Sequence, residues 1–189
     1  MIKDTRQKLM DAAFRRFYRD GFRNVGIDQI LADVGISKTA FYKHFESKED
    51  LMVAALEDQH HKMHADFLRL VRERGGDSPL AQLRALFDAV ENVLHSEQFR
   101  GCAFVNASIE FPVPHEPAHV AAANSKAAFE QMVREIAERA GADDPAALAQ
   151  ELMLIMEGAY VTQHVSGSAQ TIDIARRLGQ RAIAQRIPQ

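Results

Sequence analysis

Apolar positions recur at helical spacing along nearly the whole chain. In the first segment Leu9, Ala13 and Phe17 stand at i, i+4 and i+8, flanked by Met10 and Phe14, which puts one apolar stripe on a helix. Asp4-Thr5-Arg6-Gln7 precedes it in capping-box form, with an acid in place of the usual hydroxyl. Gly21 after Asp20 is a natural left-handed stop. A second, short segment from Ile27 to Asp33 turns Ile27, Ile30, Leu31 and Val34 inward. Gly35 then takes a tight turn at little cost, and Ser37 is placed to cap a third segment, Lys38 to Phe45. Ser47-Lys48-Glu49-Asp50 is a second capping box, opening a long helix from Lys48 to about Arg74 that Gly75-Gly76 ends.

Beyond this point the breakers are Ser78-Pro79, Gly101, Pro112 to Pro117, Gly141, Asp144-Pro145 and Gly167. Ser78-Pro79 and Asp144-Pro145 each have the form of an N-cap followed by proline in the first helical position. Helices are predicted near 79–98, 102–111, 118–140, 146–166 and 170–187. No segment alternates with period two in Val, Ile and Thr, so the fold class is all-α with about nine helices and no internal repeat. Segments 27–33 and 38–45, joined at Val34-Gly35-Ile36 and supported by 4–20, have the layout of a three-helix helix-turn-helix domain over residues 1–46.

The third segment has a chemically distinctive face. With Phe41 and Phe45 directed inward, Thr39, Tyr42 and Lys43 point outward, and Ala40 and His44 lie at the margins. A hydroxyl, a phenol, an amine and an imidazole with few carboxylates can donate hydrogen bonds to phosphates and base edges. Ser37 and the free N–H groups of the helix start add an attraction for phosphate, and Lys48 can reach the same backbone. Charge changes the picture in the same direction. The chain carries 23 Lys and Arg against 26 Asp and Glu, yet residues 1–46 hold nine basic and six acidic residues. A basic end on an acidic body suits a polyanion, although a solvated helix face with a chance imbalance gives the same count.

The stretch from Phe22 to Leu51 resembles the DNA-binding region of TetR/AcrR-type repressors. The resemblance rests on Gly21-Phe22 after the first helix, the Val34-Gly35-Ile36-Ser37 turn, Tyr42-Lys43-His44-Phe45, and the Lys48-Glu49-Asp50-Leu51 opening of the fourth helix. It is dense over residues 5–56. It implies a homodimer that sets two recognition helices into successive major grooves of a palindromic double-stranded DNA operator. It implies base contacts from Lys38, Thr39, Ala40, Tyr42, Lys43 and His44, and phosphate contacts from Thr5, Tyr42 and Lys48. The chain departs from the pattern at Gly26, where the family often has Thr or Ser; glycine can cap the second helix but offers phosphate no side chain. The resemblance further implies that residues 47–189 form a helical domain for dimerisation and for a small-molecule effector.

Within that second domain, Leu148, Leu152, Ile155, Met156 and Ala159 share one side of their helix, and Ile172, Ala175, Leu178 and Ala182 one stripe of the last. Such stripes, with small residues Gly158 and Gly179 among them, form a four-helix dimer interface or else close the monomer core; the resemblance favours the interface. Apolar or aromatic residues with isolated polar neighbours are the candidates for an effector pocket: Phe67, Phe87, Phe104, Asn106, Glu110, Phe129, Met132, Met156, Glu157, Tyr160 and His164. Cys102, the one cysteine, follows Gly101 at a helix start and joins the pocket candidates, either as a small buried residue or as a thiol that reacts with electrophiles, as in some repressors of the resembling family.

Several classes are excluded or disfavoured. One cysteine forms no intrachain disulfide and no multi-cysteine zinc site. His60/His64 and His115/His119 are spaced i, i+4, but two ligands do not make a site and no cysteine stands beside either pair, so no metal is expected. No phosphate loop, nucleophile elbow or zinc-protease motif occurs, so neither a cofactor nor an enzyme is expected. The alternative is a helical small-molecule-binding protein or enzyme that keeps an inherited DNA-binding scaffold. No apolar run approaches the ~20 residues of a membrane helix, and Met1 to Arg6 has no signal-peptide core, so a cytoplasmic protein without membrane contact is expected.

Overall fold

The structure is a computed structural model that describes residues 4–187. Lys3, one of the basic residues of the N-terminal segment, lies outside the described residues. Among those described, nine helices and no strand are found. They are α1 (Thr5–Asp20), α2 (Ile27–Val34), α3 (Lys38–Phe41), α4 (Lys48–Gly75), α5 (Pro79–Leu94), α6 (Ala103–Glu110), α7 (Pro117–Arg139), α8 (Pro145–Ser166) and α9 (Thr171–Arg186). None is long and apolar enough to cross a membrane.

The punctuation works chemically as its residue types dictate. The Ser37 hydroxyl accepts the Ala40 N–H at 3.2 Å, Ser78 accepts Ala81 at 3.3 Å, and Asp144 accepts Ala147 at 3.0 Å. Ser47 accepts the Asp50 N–H, and the Asp50 carboxylate reaches back to the N–H of Glu46. Gly35 closes α2 with φ +75°, a conformation a Cβ would strain. The capping box expected at Asp4 does not form. Its carbonyl accepts the Lys8 N–H, but its side chain caps nothing, and the Gln7 amide donates to the Asp11 and Asp58 carboxylates instead. Two carboxylates offer Gln7 stronger acceptors than a lone backbone group does.

The chain forms two compact units. The first joins residues 1–62 to 103–125, and the second joins 63–102 to 126–189. This division differs from a single cut at residue 46 because α6 and the start of α7 belong with the N-terminal helices. In the first unit Leu9, Ala13, Phe17, Phe22, Ile30, Phe41, Phe45 and Leu51 are buried. Arg16 joins α1 to the end of α2 through two hydrogen bonds to Asp33, at 2.6 and 2.7 Å.

The second unit is built around Phe67, Val71, Leu83, Leu86, Phe87, Val133, Ile136, Leu148, Leu152 and Ile183. Arg176 of α9 binds both Asp88 and Glu91 of α5 at 2.8 Å. The stripe assigned to a dimer interface belongs mainly to this core: Leu148, Leu152, Met156, Ala159, Ile172 and Ala175 are buried, and Ile155 and Ala182 pack against them. Of that stripe Leu178 points outward, and the other outward apolar residues lie off it. Leu154, Val161 and Val165 of α8 are 74%, 54% and 79% exposed, and Ile174 and Leu178 of α9 are exposed as well. Helix α8 is apolar on two sides, so its periodicity alone does not say which side faces its own core.

Candidate nucleic-acid interface

The helix-turn-helix presents the face that the sequence pattern predicts. Phe41 and Phe45 are buried and stack at 5.9 Å between ring centres. Thr39, Tyr42 and Lys43 are exposed, and Ala40 and His44 are half-buried. Tyr42 leaves 60% of its surface open. Its ring meets the edge of Phe41 at 5.2 Å, which limits its swing.

The helix itself is shorter than expected. Regular α-helix covers Lys38–Phe41, and the chain then tightens: His44 N–H bonds to Phe41 at 2.8 Å and Lys43 N–H to Ala40 at 3.4 Å, both three residues back. Phe45 N–H still reaches the Phe41 carbonyl, so both phenylalanines stay on the buried side and the outer face survives. The N-terminal dipole attributed to this segment is that of a single turn.

Three of the predicted contact residues carry intramolecular bonds. Lys38 pairs with Asp28 of α2 at 2.9 Å, and this hydrogen bond raises its ammonium above the usual lysine range. Lys48 donates to the Arg23 carbonyl at 3.2 Å and lies 5.7 Å over the Phe17 ring; burial pushes its ammonium below the usual range. Ser37 is occupied as a cap. Thr5 is half-buried at the first position of α1. At Gly26 the Gln29 amide oxygen accepts the backbone N–H at 2.8 Å, which holds the start of α2 but supplies no phosphate contact.

Comparison with known proteins decides the family. The description "Bacterial regulatory proteins, tetR family" matches residues 9–55, and "Tetracyclin repressor-like, C-terminal domain" matches residues 79–178. The chain belongs to the TetR family. Among solved structures it is similar to SCO4454, a TetR-family transcriptional regulator from Streptomyces coelicolor, with a TM-score of 0.88 and 26% identity over 97% of this chain and 96% of that one. A tetR transcriptional regulator from Streptomyces avermitilis gives 0.81 and 30% identity, covering 95% and 98% of the two chains. Among curated proteins, the HTH-type transcriptional regulator YjdC of Escherichia coli is 22% identical over 175 residues, 93% of this chain and 91% of its own. This TetR-family protein is therefore a transcriptional regulator with a DNA-binding helix-turn-helix.

The pocket candidates are spread over both compact units. Phe104, Asn106 and Glu110 fall in the first, and the others in the second. In the second unit Phe67 meets Phe129 edge-on at 5.7 Å, His64 meets Phe129 at 5.4 Å, and Phe99 meets both Tyr160 and His164 at 6.2 Å. Phe87 and Met156 are fully or nearly buried core residues. Glu157 is paired with Lys126 at 3.0 Å, and His164 is exposed. A groove of about 600 Å³ between α4 and α7 is lined by Leu68, Arg72, Met132 and Ile136 among others, and Met132 is its one pocket candidate.

Glu110 is committed elsewhere: both its carboxylate oxygens accept backbone N–H groups, from Phe22 at 3.0 Å and Arg23 at 2.8 Å. Cys102 is half-buried immediately before α6. Of the spaced histidines, His60 bonds the buried Ser125 hydroxyl at 3.0 Å and His119 the Phe111 carbonyl at 2.8 Å. Sequence reasoning missed Asp28 and Arg23 as neighbours of the interface. Their partners, Lys38 for Asp28 and Lys48 and Glu110 for Arg23, lie on other elements, and no local pattern announces them.

Proposed function

We propose that this TetR-family regulator is a cytoplasmic repressor that binds a palindromic operator as a homodimer and is released by a small molecule. In this reading residues 1–46 contact DNA and residues 47–189 dimerise and take the effector. The observation that carries it is the exposed Thr39, Tyr42 and Lys43 face seated on buried Phe41 and Phe45. Base contacts come from Lys38, Thr39, Ala40, Tyr42, Lys43 and His44, and phosphate contacts from Thr5, Ser37, Tyr42 and Lys48. Lys38 and Lys48 must exchange their present partners for DNA.

The outward stripe Leu154, Gly158, Val161 and Val165 on α8, spaced four, three and four, together with Ile174 and Leu178 on α9, supports dimerisation through these two helices. Two reading heads must stand about 34–36 Å apart to enter successive major grooves. Helix α4 runs unbroken for 28 residues from the DNA-reading unit into the second, which supports a mechanical link between effector and spacing. An effector that binds the wrongly spaced form more tightly empties the operator, and DNA must weaken effector binding by the same factor.

Titration with duplex DNA from upstream of the protein's own gene, at two salt concentrations, tests the reading. Tight binding that weakens steeply with salt is expected. Binding absent even at low salt favours the alternative of a small-molecule-binding protein or enzyme on an inherited scaffold. The same titration after iodoacetamide treatment asks whether Cys102 is an electrophile sensor; complete labelling with unchanged affinity removes it from the reading.

A further inference from the structure

The turn between α1 and α2 is held from outside the helix-turn-helix. Gly21, at φ +92°, starts the turn, and the next two backbone N–H groups, of Phe22 and Arg23, each meet one oxygen of the Glu110 carboxylate. The bonding is reciprocal, because Arg23 Nε donates to the Glu110 carbonyl at 2.6 Å. The Arg23 guanidinium also lies 4.7 Å over the Phe111 ring and 3.7 Å from Glu116. Lys48 completes the cluster through the Arg23 carbonyl. A carboxylate that takes two successive N–H groups, one on each oxygen, forms two charge-assisted bonds. All these residues belong to the same compact unit, although Glu110 is 88 residues from Phe22 in sequence.

We propose that Glu110 is a positioning residue for DNA binding: it fixes the α1–α2 turn, and through it α2 and α3, against the C-terminal end of α6. The inference rests on the DNA-binding reading above. Phe22 is buried and stacked on Phe17 at 5.6 Å, so the head keeps its core when the clamp is cut and loses its aim rather than its fold. The α6 helix follows directly on Cys102, where the chain arrives from the second unit, so the clamp gives α6 a hydrogen-bonded hold on the reading helices in addition to α4.

The test compares the wild type, Glu110→Gln and Glu110→Ala on a duplex that the wild type has selected from a random library, together with amide exchange at Phe22 and Arg23. Electrostatics alone predicts that removing a carboxylate tightens DNA binding. The clamp predicts the opposite. Affinity falls about tenfold or more in Glu110→Ala, because only about a tenth or less of the freed heads then stands in the binding orientation, and less in Glu110→Gln, which keeps one acceptor oxygen. Exchange at both amides quickens and the salt slope is unchanged, since no phosphate contact is lost. If Glu110→Ala does not fold, Glu110→Gln carries the same comparison. Affinity at or above the wild-type level, or undiminished protection of the two amides, overturns the proposal alone. A wild-type protein that selects no duplex overturns the DNA-binding reading and this proposal with it.

Discussion

Lys38 and Asp28 form a 2.9 Å ion pair across the helix-turn-helix, joining the first residue of α3 to the first turn of α2. Both side chains are exposed, so the pair adds little to stability. Its effect falls on binding, because a lysine directed at DNA must first leave this carboxylate. Asp28→Asn is expected to raise duplex affinity several-fold at low salt and to steepen the dependence of log affinity on log salt by up to about one unit. Titrations at four salt concentrations check this; a weaker or unchanged variant shows that Lys38 does not meet DNA.

The Arg16–Asp33 bridge makes a prediction about pH. The hydrogen bonds from Arg16 hold the Asp33 carboxyl below its usual range. A carboxylate with a depressed folded-state pKa contributes stability that is present above its unfolded pKa of about 3.9 and lost as pH falls through the lower, folded value. The difference in thermal midpoint between the wild type and Asp33→Asn is therefore steady near neutrality and shrinks below about pH 4. A difference that grows on acidification contradicts this assignment.

Gly179 of α9 is buried with the ring of Phe87 of α5 lying where a Cβ would go. A methyl group there overlaps the ring, and Phe87 is itself fully buried and has nowhere to retreat. Gly179→Ala is expected to destabilise the protein by about 1–3 kcal/mol despite alanine's better helix propensity. Urea denaturation measures it; a stabilised variant shows that the two helices can part at no cost.

The outward stripe on α8 and α9 predicts the assembly. Leu154→Glu combined with Val165→Glu puts charge on two of its most exposed members and leaves the monomer core untouched. Sedimentation should show a monomer where the wild type is a dimer, and operator affinity should fall about a hundredfold or more as the two heads lose their tether. A double variant that stays dimeric places the interface elsewhere.

Much of this was legible in the sequence because it is local. Ser37, Ser78 and Asp144 cap the helices whose starts they mark, and the spacing of Phe41 and Phe45 alone gives the outward set Thr39, Tyr42 and Lys43. What was not legible depends on distant partners or on competition between acceptors. Helix α8 has apolar residues on both sides, and only tertiary packing shows that Leu152 faces its own core while Leu154 faces out. Gln7 chose side-chain carboxylates over a cap. Glu110 stands in the sequence as an isolated polar residue among apolar ones, and its partners are two backbone N–H groups far away in sequence.

The most direct test of the account is to let the wild type, Tyr42→Ala and Lys43→Ala each select from a pool of random duplexes. The account predicts that the wild type enriches an inverted repeat whose half-sites lie about one helical turn apart or a multiple of it. Tyr42→Ala should bind every sequence more weakly without changing the preferred one, and Lys43→Ala should change the preferred bases. No enrichment by the wild type, or the same preferred sequence and full affinity from both variants, contradicts it.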